Sequence, residues 1–472
     1  TLRLDAIPLA DQAERLAWLA EHVPSLPGSG IIYCLTVADT QRVARFLTSQ
    51  GIDARAYSGP MATPDREALE TGLIGNAFKA LVATVALGMG FDKPDLGFVI
   101  HFQRPTSAIA YYQQVGRAGR AVDRAYGILL SGREDDEIAE YFHRTAFPPS
   151  DSMRAILEVL EAVDGGSSGF IQSRINLPKG QLDQALKLLE LDGAVARDRS
   201  RWFRTPNPWQ PDEERIAGVI ATRQRELAEM QAYVTYAGCR MEYLTRLLDD
   251  PLAGPCGRCA NDVGRGLPRT VDADLLQAAL EFLRRSLSPI QPRKKWMETG
   301  GTPAISTPNE PGIALCRYGD PGWGRAVAQG KYKDGRFSDA LVIAAVRAIR
   351  DQWRPDPMPE WVTAIPSLGR RTLVGDFATA VAEGLALPYV ECLSILTEGQ
   401  QQKLMKNSIH QLANAREKLG VEGPAVRPGP VLLIDDIVDS GWTLTVAGDL
   451  LRAHGSGPVL PFALAVSSMR DD

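Results

Sequence analysis

Short apolar runs alternate with segments of helical spacing along the first third of the chain. IIYCLT, ALVAT, FVIHF and GILLS, between Ile31 and Ser131, are bounded by polar turns and predict buried strands. Between them, stretches such as DTQRVARFLTSQG place apolar side chains on one helical face. This alternation predicts a parallel sheet with helices on both faces, whose ligands sit at the carboxyl ends of the strands. The pattern changes after residue 148. SMRAILEVLEAVD and the stretch from SSGFIQSR to RDRSRWFRT predict helix, helix, helix and hairpin, with Leu182, Ala185, Leu186 and Leu189 as the buried stripe of a third helix that Pro178 opens. A long polar-faced helix follows, EERIAGVIATRQRELAEMQAYVTYAG. Arg265 to Gly335 is turn-rich and predicts a small β-containing connector, and from Phe337 the strand–helix alternation returns. The predicted class is a multidomain α/β protein with boundaries at 1–148, 149–208, 209–266, 267–336 and 337–472.

Composition narrows the chemistry. The 472 residues are 44% hydrophobic and 23% charged, as in a soluble globular protein. The formal charge of −5 gives no global attraction to nucleic acid, so DNA binding requires local basic surface. No apolar run approaches the roughly 20 residues that span a bilayer, and no secretory signal is visible, so no membrane partner is expected. The chain starts at Thr1 without an initiator Met, which is expected of a cut or processed chain. Of six cysteines only Cys239, Cys256 and Cys259 cluster, which fits a reducing compartment, by default the cytoplasm, and one metal site.

Two motifs fall at predicted strand ends. In ALVATVALGMGFDKPDLGFVIHF, Thr84 closes one strand, a glycine loop from Gly88 to Gly90 follows, and then Asp92. YYQQVGRAGR follows the next strand and sets Arg117 and Arg120 each after a glycine, beside Gln113 and Gln114. Guanidinium groups so placed suit charge stabilisation on a transferring phosphoryl group. These stretches resemble the fifth and sixth motifs of superfamily-two helicases, RecQ-like in wording, over about residues 28 to 145. The resemblance implies a RecA-like second motor lobe of an ATP-dependent DNA helicase with 3′ to 5′ polarity. It implies that Thr84 and the Gly88–Gly90 loop touch the DNA backbone and that Asp92 couples the loop to the nucleotide. It also implies that Gln113, Arg117 and Arg120 face ATP across a cleft, with Arg120 as the leading arginine finger and Arg117 close behind. The family's usual His before Ser-Gly is Tyr57 here. Neither a Gly-Lys-Ser/Thr phosphate loop nor its acidic magnesium strand occurs in the chain. ATP and Mg²⁺ are therefore expected on a first motor lobe preceding Thr1 in the natural protein, and this chain alone is expected not to hydrolyse ATP.

The predicted helices and hairpin over 149–208 read as a winged helix. Arg197, Arg199, Arg201 and Arg204, interleaved with Trp202 and Phe203, suit phosphate neutralisation and base stacking at a single-strand–duplex junction; packing alone is the alternative. Cys256 and Cys259 form a C-x-x-C pair 17 residues after Cys239, a spacing suited to tetrahedral, structural zinc. This resembles the RecQ zinc module, with Asp262 where that module has its last Cys. Cys239, Cys256, Cys259 and Asp262 are the leading ligand set, with water or a distant His as the alternative fourth ligand. The family places this module before the winged helix, the reverse of the order here.

In VLLIDDIVDSGWTLTVAGDLL, Val431 to Ile434 predict a buried strand with Asp435 and Asp436 at its end, and Asp439 to Thr443 a tight turn opening a helix. Paired carboxylates can hold a sugar's hydroxyls, and a helix N-terminus with the Ser440 and Thr443 hydroxyls can hold a phosphate. The stretch resembles the phosphoribosyl-pyrophosphate motif of type I phosphoribosyltransferases, closest to the ComF-like branch. The resemblance implies a sugar-phosphate site at Asp435, Asp436, Asp439, Ser440, Gly441 and Thr443, and a pyrophosphate loop near Pro366 to Arg370. Either the domain is active or it keeps only the fold. The readings carried forward are a helicase acting in DNA repair or recombination, a transferase with DNA-binding modules, and a binding scaffold.

Overall fold

The computed structural model of the protein describes residues 1–87, 91–136, 140, 147–298, 301–367, 372–397 and 404–467. The chain divides into two units. One joins 1–146 to 213–282, and the other joins 147–212 to 283–470.

The first unit is built on six parallel strands: β1 (Leu2–Pro8), β2 (Gly30–Tyr33), β3 (Ala54–Tyr57), β4 (Ala80–Ala83), β5 (Phe98–His101) and β6 (Ala125–Ser131), in the order β1-β6-β5-β2-β4-β3. Every residue of β2, β4 and β5 is buried, as continuous apolar runs covered on both faces require. β1 is an addition to the predicted strands and pairs along its whole length with β6. Side-chain caps from Asp11, Thr36 and Ser107 start the helices Gln12–His22, Val37–Ser49 and Ala108–Val115. After residues 147–212 the chain returns as the helix Glu213–Thr235, whose Met230, Tyr233 and Val234 enter the same core as Tyr111, Val115 and Leu4. The shorter helix Arg240–Leu247 follows, and Ala260 N–H donates to Leu4 O at 3.0 Å.

In the second unit, helices Ser150–Glu161, Ser168–Arg174 and Lys179–Leu191 pack with the strands β7 (Gly166–Ser167), β8 (Val195–Asp198) and β9 (Arg201–Arg204), an antiparallel set ordered β7-β9-β8. A five-stranded sheet follows. β10 (Ser288–Ile290) runs antiparallel to β11 (Gly312–Arg317), and β11, β16 (Val459–Val466), β15 (Val431–Val438) and β12 (Trp361–Ala364) lie parallel in that order. β13 (Leu393–Ile395) and β14 (Leu419–Val421) form a separate pair. Two expectations need correction. The 267–336 connector does not stand alone, because β11 is an interior strand of this sheet with five of its six residues buried. Asp435 and Asp436 do not end their strand, because β15 continues to Val438 along β16 while its pairing with β12 stops at Ile434.

Candidate functional sites

The arginine turn follows the helix Ala108–Val115, where Tyr111 and Val115 anchor one face and Gln113 stands exposed on the other. Gly119 holds φ at +84° between the two arginines, and a Cβ there would meet Thr1 Oγ1 at 2.9 Å, so only glycine turns the chain this way. Arg117 Nη1 donates to Phe91 O at 2.9 Å. Arg120 Nη1 lies 2.8 Å from Asp92 Oδ1, with both side chains more than half exposed, so the contact is screened and readily exchanged for another anion. Arg120 thus meets the carboxylate expected to couple the DNA loop to the nucleotide. Thr84 follows β4 with its Oγ1 accepting Ala86 N–H at 3.3 Å, and Gly88 and Gly90 lie outside the described residues. Tyr57 is buried and its hydroxyl donates to Glu70 at 2.6 Å, so its one proton is committed within the lobe where the family's His would stand.

At the cysteine site, one ligand atom from each of Cys239, Cys256, Cys259 and Asp262 lies within 4.8 Å of all the others. Cys239 is the N-cap of Arg240–Leu247 and accepts Glu242 N–H at 3.5 Å and Cys256 N–H at 3.2 Å. Cys259 accepts from Arg240 N–H at 3.4 Å and Asp262 N–H at 3.5 Å, and Cys256 from Cys259 N–H at 3.3 Å. Donors aimed at sulfur suit thiolates, and the set fits a four-coordinate divalent metal. Without metal, burial pushes the Cys239 thiol up to about 12. The Asp262 carboxyl is held below its usual range, first by its hydrogen bond with Cys239.

On β15, Asp435 Oδ1 accepts Asp436 N–H at 2.8 Å, and Asp436 Oδ2 lies 2.8 Å from Lys331 Nζ. Burial, then the neighbouring Asp436 charge, raises the Asp435 carboxyl to about 7. Asp439 is exposed, Ser440 buried and Thr443 half-buried on the turn. Gly441, at φ +76°, is the N-cap of Trp442–Ala453 and supplies no side chain to its first N–H groups. Arg293 donates twice to Ser440 O, at 3.0 and 2.8 Å, and stacks on Trp442. Sequence reasoning missed Lys331, which nothing in the turn-rich AQGKYKD distinguishes. The proposed pyrophosphate loop falls partly on residues 368–371, outside the described residues.

On the hairpin, Arg197 and Arg199 are exposed, and Arg197 covers the Trp202 ring at 5.4 Å. Trp202 is buried with Nε1 donating to Ser168 Oγ at 3.3 Å, which corrects its expected role as a stacking platform. Arg201 is committed to the carbonyls of Asp164 and Gly165, the latter at 2.8 Å.

The family model of the helicase conserved C-terminal domain matches residues 14–122. RecQ-like DNA helicase blm-1 of Caenorhabditis elegans is 40% identical over 28% of this chain and 14% of its own length. The probable ATP-dependent DNA helicase RecS of Bacillus subtilis (strain 168) is 34% identical over 33% of this chain and 32% of its own. ATP-dependent DNA helicase RecQ of Pasteurella multocida (strain Pm70) is 41% identical over 28% and 21%. The chain thus spans between 14% and 32% of the length of these three relatives. Among solved structures, the Escherichia coli DEAD-box protein SrmB bound to regulator of ribonuclease activity A is similar over 30% of this chain and 85% of its own, at 25% identity and TM-score 0.27. No helix among the described residues is long and apolar enough to cross a membrane. The six-stranded parallel lobe carries the arginine turn inside residues 14–122, the span that matches the helicase conserved C-terminal domain, and is similar in sequence to RecQ-like DNA helicases.

Proposed function

We propose that the chain supplies the second motor lobe of an ATP-dependent RecQ-like DNA helicase, unwinding 3′ to 5′ in DNA repair or recombination. The observation that carries this reading is the turn that sets Arg117 and Arg120 beside Asp92 within residues 14–122. A first lobe with its own phosphate loop binds ATP and Mg²⁺, and Arg120 leaves Asp92 for the phosphates. Thr84, the Gly88 loop, Arg197 and Arg199 contact DNA. The helices and ribbon of 150–204 support a winged helix, and Cys239, Cys256, Cys259 and Asp262 hold a structural Zn²⁺. The purified chain is expected to show no DNA-stimulated ATP hydrolysis; turnover by it rejects the assignment. Joined to a lobe with the phosphate loop, Arg120→Ala loses on the order of 10³-fold in kcat while DNA affinity holds. Unchanged kcat removes the finger role.

A second reading is favoured by one observation, the acidic pair of β15 two residues before a turn whose helix N-terminus lacks a side-chain cap. Asp435 and Asp436 would take the ribose hydroxyls of phosphoribosyl pyrophosphate, and the N–H groups and hydroxyls from Asp439 to Thr443 its 5-phosphate. Calorimetry with phosphoribosyl pyrophosphate and Mg²⁺ gives saturable heat that Asp436→Asn abolishes. No heat at millimolar ligand assigns the domain a structural role.

A further inference from the structure

A buried column of side chains in the first unit begins at the cysteine site and ends beside Arg117. Arg240, 1% exposed, takes its N–H to Cys259 Sγ, lies 5.2 Å over the Tyr233 ring and donates from Nη1 to Tyr233 O at 2.6 Å. Tyr233 packs on Tyr111 with ring centroids 5.2 Å apart, and its hydroxyl donates to that of Tyr111 at 3.5 Å. Tyr111 meets His101 at 4.8 Å, and His101 stacks on Tyr33 at 5.4 Å and 27°. Tyr33 and His101 face each other across the β2–β5 ladder, and all four rings are at most 3% exposed. Tyr111 lies on the helix Ala108–Val115, which runs directly into the arginine turn, and the Arg117 charge opposes the rise that burial gives the Tyr33 phenol.

Hydrogen bonds hold the far end of the column at two points, Arg117 Nη1 to Phe91 O and His101 Nε2 to Gln114 Oε1. Arg117 Nε, the Tyr33 hydroxyl and His101 Nδ1 are buried without a partner among the described residues. Ring packing therefore shares in setting the position of this end, and close-packed rings pass a displacement on instead of absorbing it. Transition-state stabilisation by a guanidinium is sensitive to placement at about the 1 Å level.

We propose that Tyr233 and Arg240 are positioning residues for the arginine turn: through the Tyr111, His101 and Tyr33 rings the cysteine-bearing module fixes where Arg117 sits. The consequence for catalysis rests on reading Arg117 and Arg120 as the phosphate-facing pair. It makes the module part of the ATP-hydrolysing machinery without its touching the nucleotide.

The test reads Arg117 directly. In the chain labelled with ¹⁵N-arginine, the Nε–H resonances of Arg117 and Arg15 are assigned with Arg117→Lys and Arg15→Lys. Arg15 is the control, buried in the same lobe and bonded to Asp135 at 2.7 Å. Tyr233→Leu, which keeps apolar bulk and removes the ring, displaces or broadens the Arg117 signal and leaves that of Arg15 in place. Tyr233→Phe restores it. The proposal is overturned if Arg117 does not respond to Tyr233→Leu, or if Tyr233→Phe displaces it equally. It is also overturned if Arg15 moves with Arg117, because Tyr233 is then only a core residue. The resonance reports position, not turnover, so these outcomes judge the column alone, whereas retained ATP hydrolysis in Arg120→Ala judges the phosphate-facing reading alone.

Discussion

His101 ends β5 with its imidazole enclosed by Tyr33 and Tyr111 and its Nε2 2.5 Å from Gln114 Oε1. Burial outweighs that hydrogen bond and lowers its pKa from 6.5 to about 4. The folded state thus prefers the neutral ring. The stability this preference contributes is present above pH 6.5 and is lost as pH falls through about 4, by at most about 1.4 kcal/mol for each unit of pH. In thermal melts, the advantage of wild type over His101→Gln narrows between pH 6.5 and 4; a gap independent of pH rejects the assignment. At this scale the sequence was legible where chemistry is local. Cys256, Cys259 and Asp262 are close in the chain, so one turn fixes their separations, and the Cys239 cap brings in the fourth group. It was illegible where a polar atom's partner is distant. Nothing near Tyr57 announces Glu70, nothing near Trp202 announces Ser168, and Lys331 is far in sequence from Asp436.

Among elements, the runs that became β2, β4, β5 and β6 were readable because a strand covered on both faces is apolar at every position. β1 was not, since LRLDAIP carries two charged residues on an edge strand, and β11 was hidden among turn-forming neighbours. One junction between elements had no sequence signal. Asn407, 3% exposed, caps the helix Ser408–Lys418 by accepting His410 N–H at 2.9 Å. Its Nδ2 donates to the carbonyls of Gln172 at 3.1 Å and Ile175 at 2.9 Å, at the end of Ser168–Arg174. One carboxamide therefore closes one helix and opens another, inside the second unit. Asn407→Ala removes a cap and leaves two buried carbonyls without this donor, a loss of about 1–3 kcal/mol. Denaturant unfolding followed in that unit measures it, and a change within about 0.5 kcal/mol would show that water replaces the amide.

Across the whole molecule, the order of modules in the chain is not their order in space. The helix-and-hairpin stretch of 149–208 precedes the cysteines in sequence, yet residues 147–212 belong with the C-terminal unit while 213–282 return to the lobe. The cysteine-bearing segment is thus in one unit with the lobe, and residues 147–212 interrupt that unit in the sequence. Periodicity could not show this, because a polar-faced helix such as Glu213–Thr235 reveals only three buried positions and not the body they enter. The assignment has a measurable consequence. Cys239 and Cys259 share one core with Leu4, Tyr111 and Val115, so removing the proposed Zn²⁺ takes a brace away from that core. Hydrogen exchange before and after chelation of the zinc-loaded protein then gives faster exchange in β1, the helix Ala108–Val115 and residues 213–262, with the five-stranded sheet of the second unit unchanged. Loss of protection confined to residues 236–262 would mean that the module hangs on the lobe without supporting it, and equal loss in both units would mean that the chain unfolds as one.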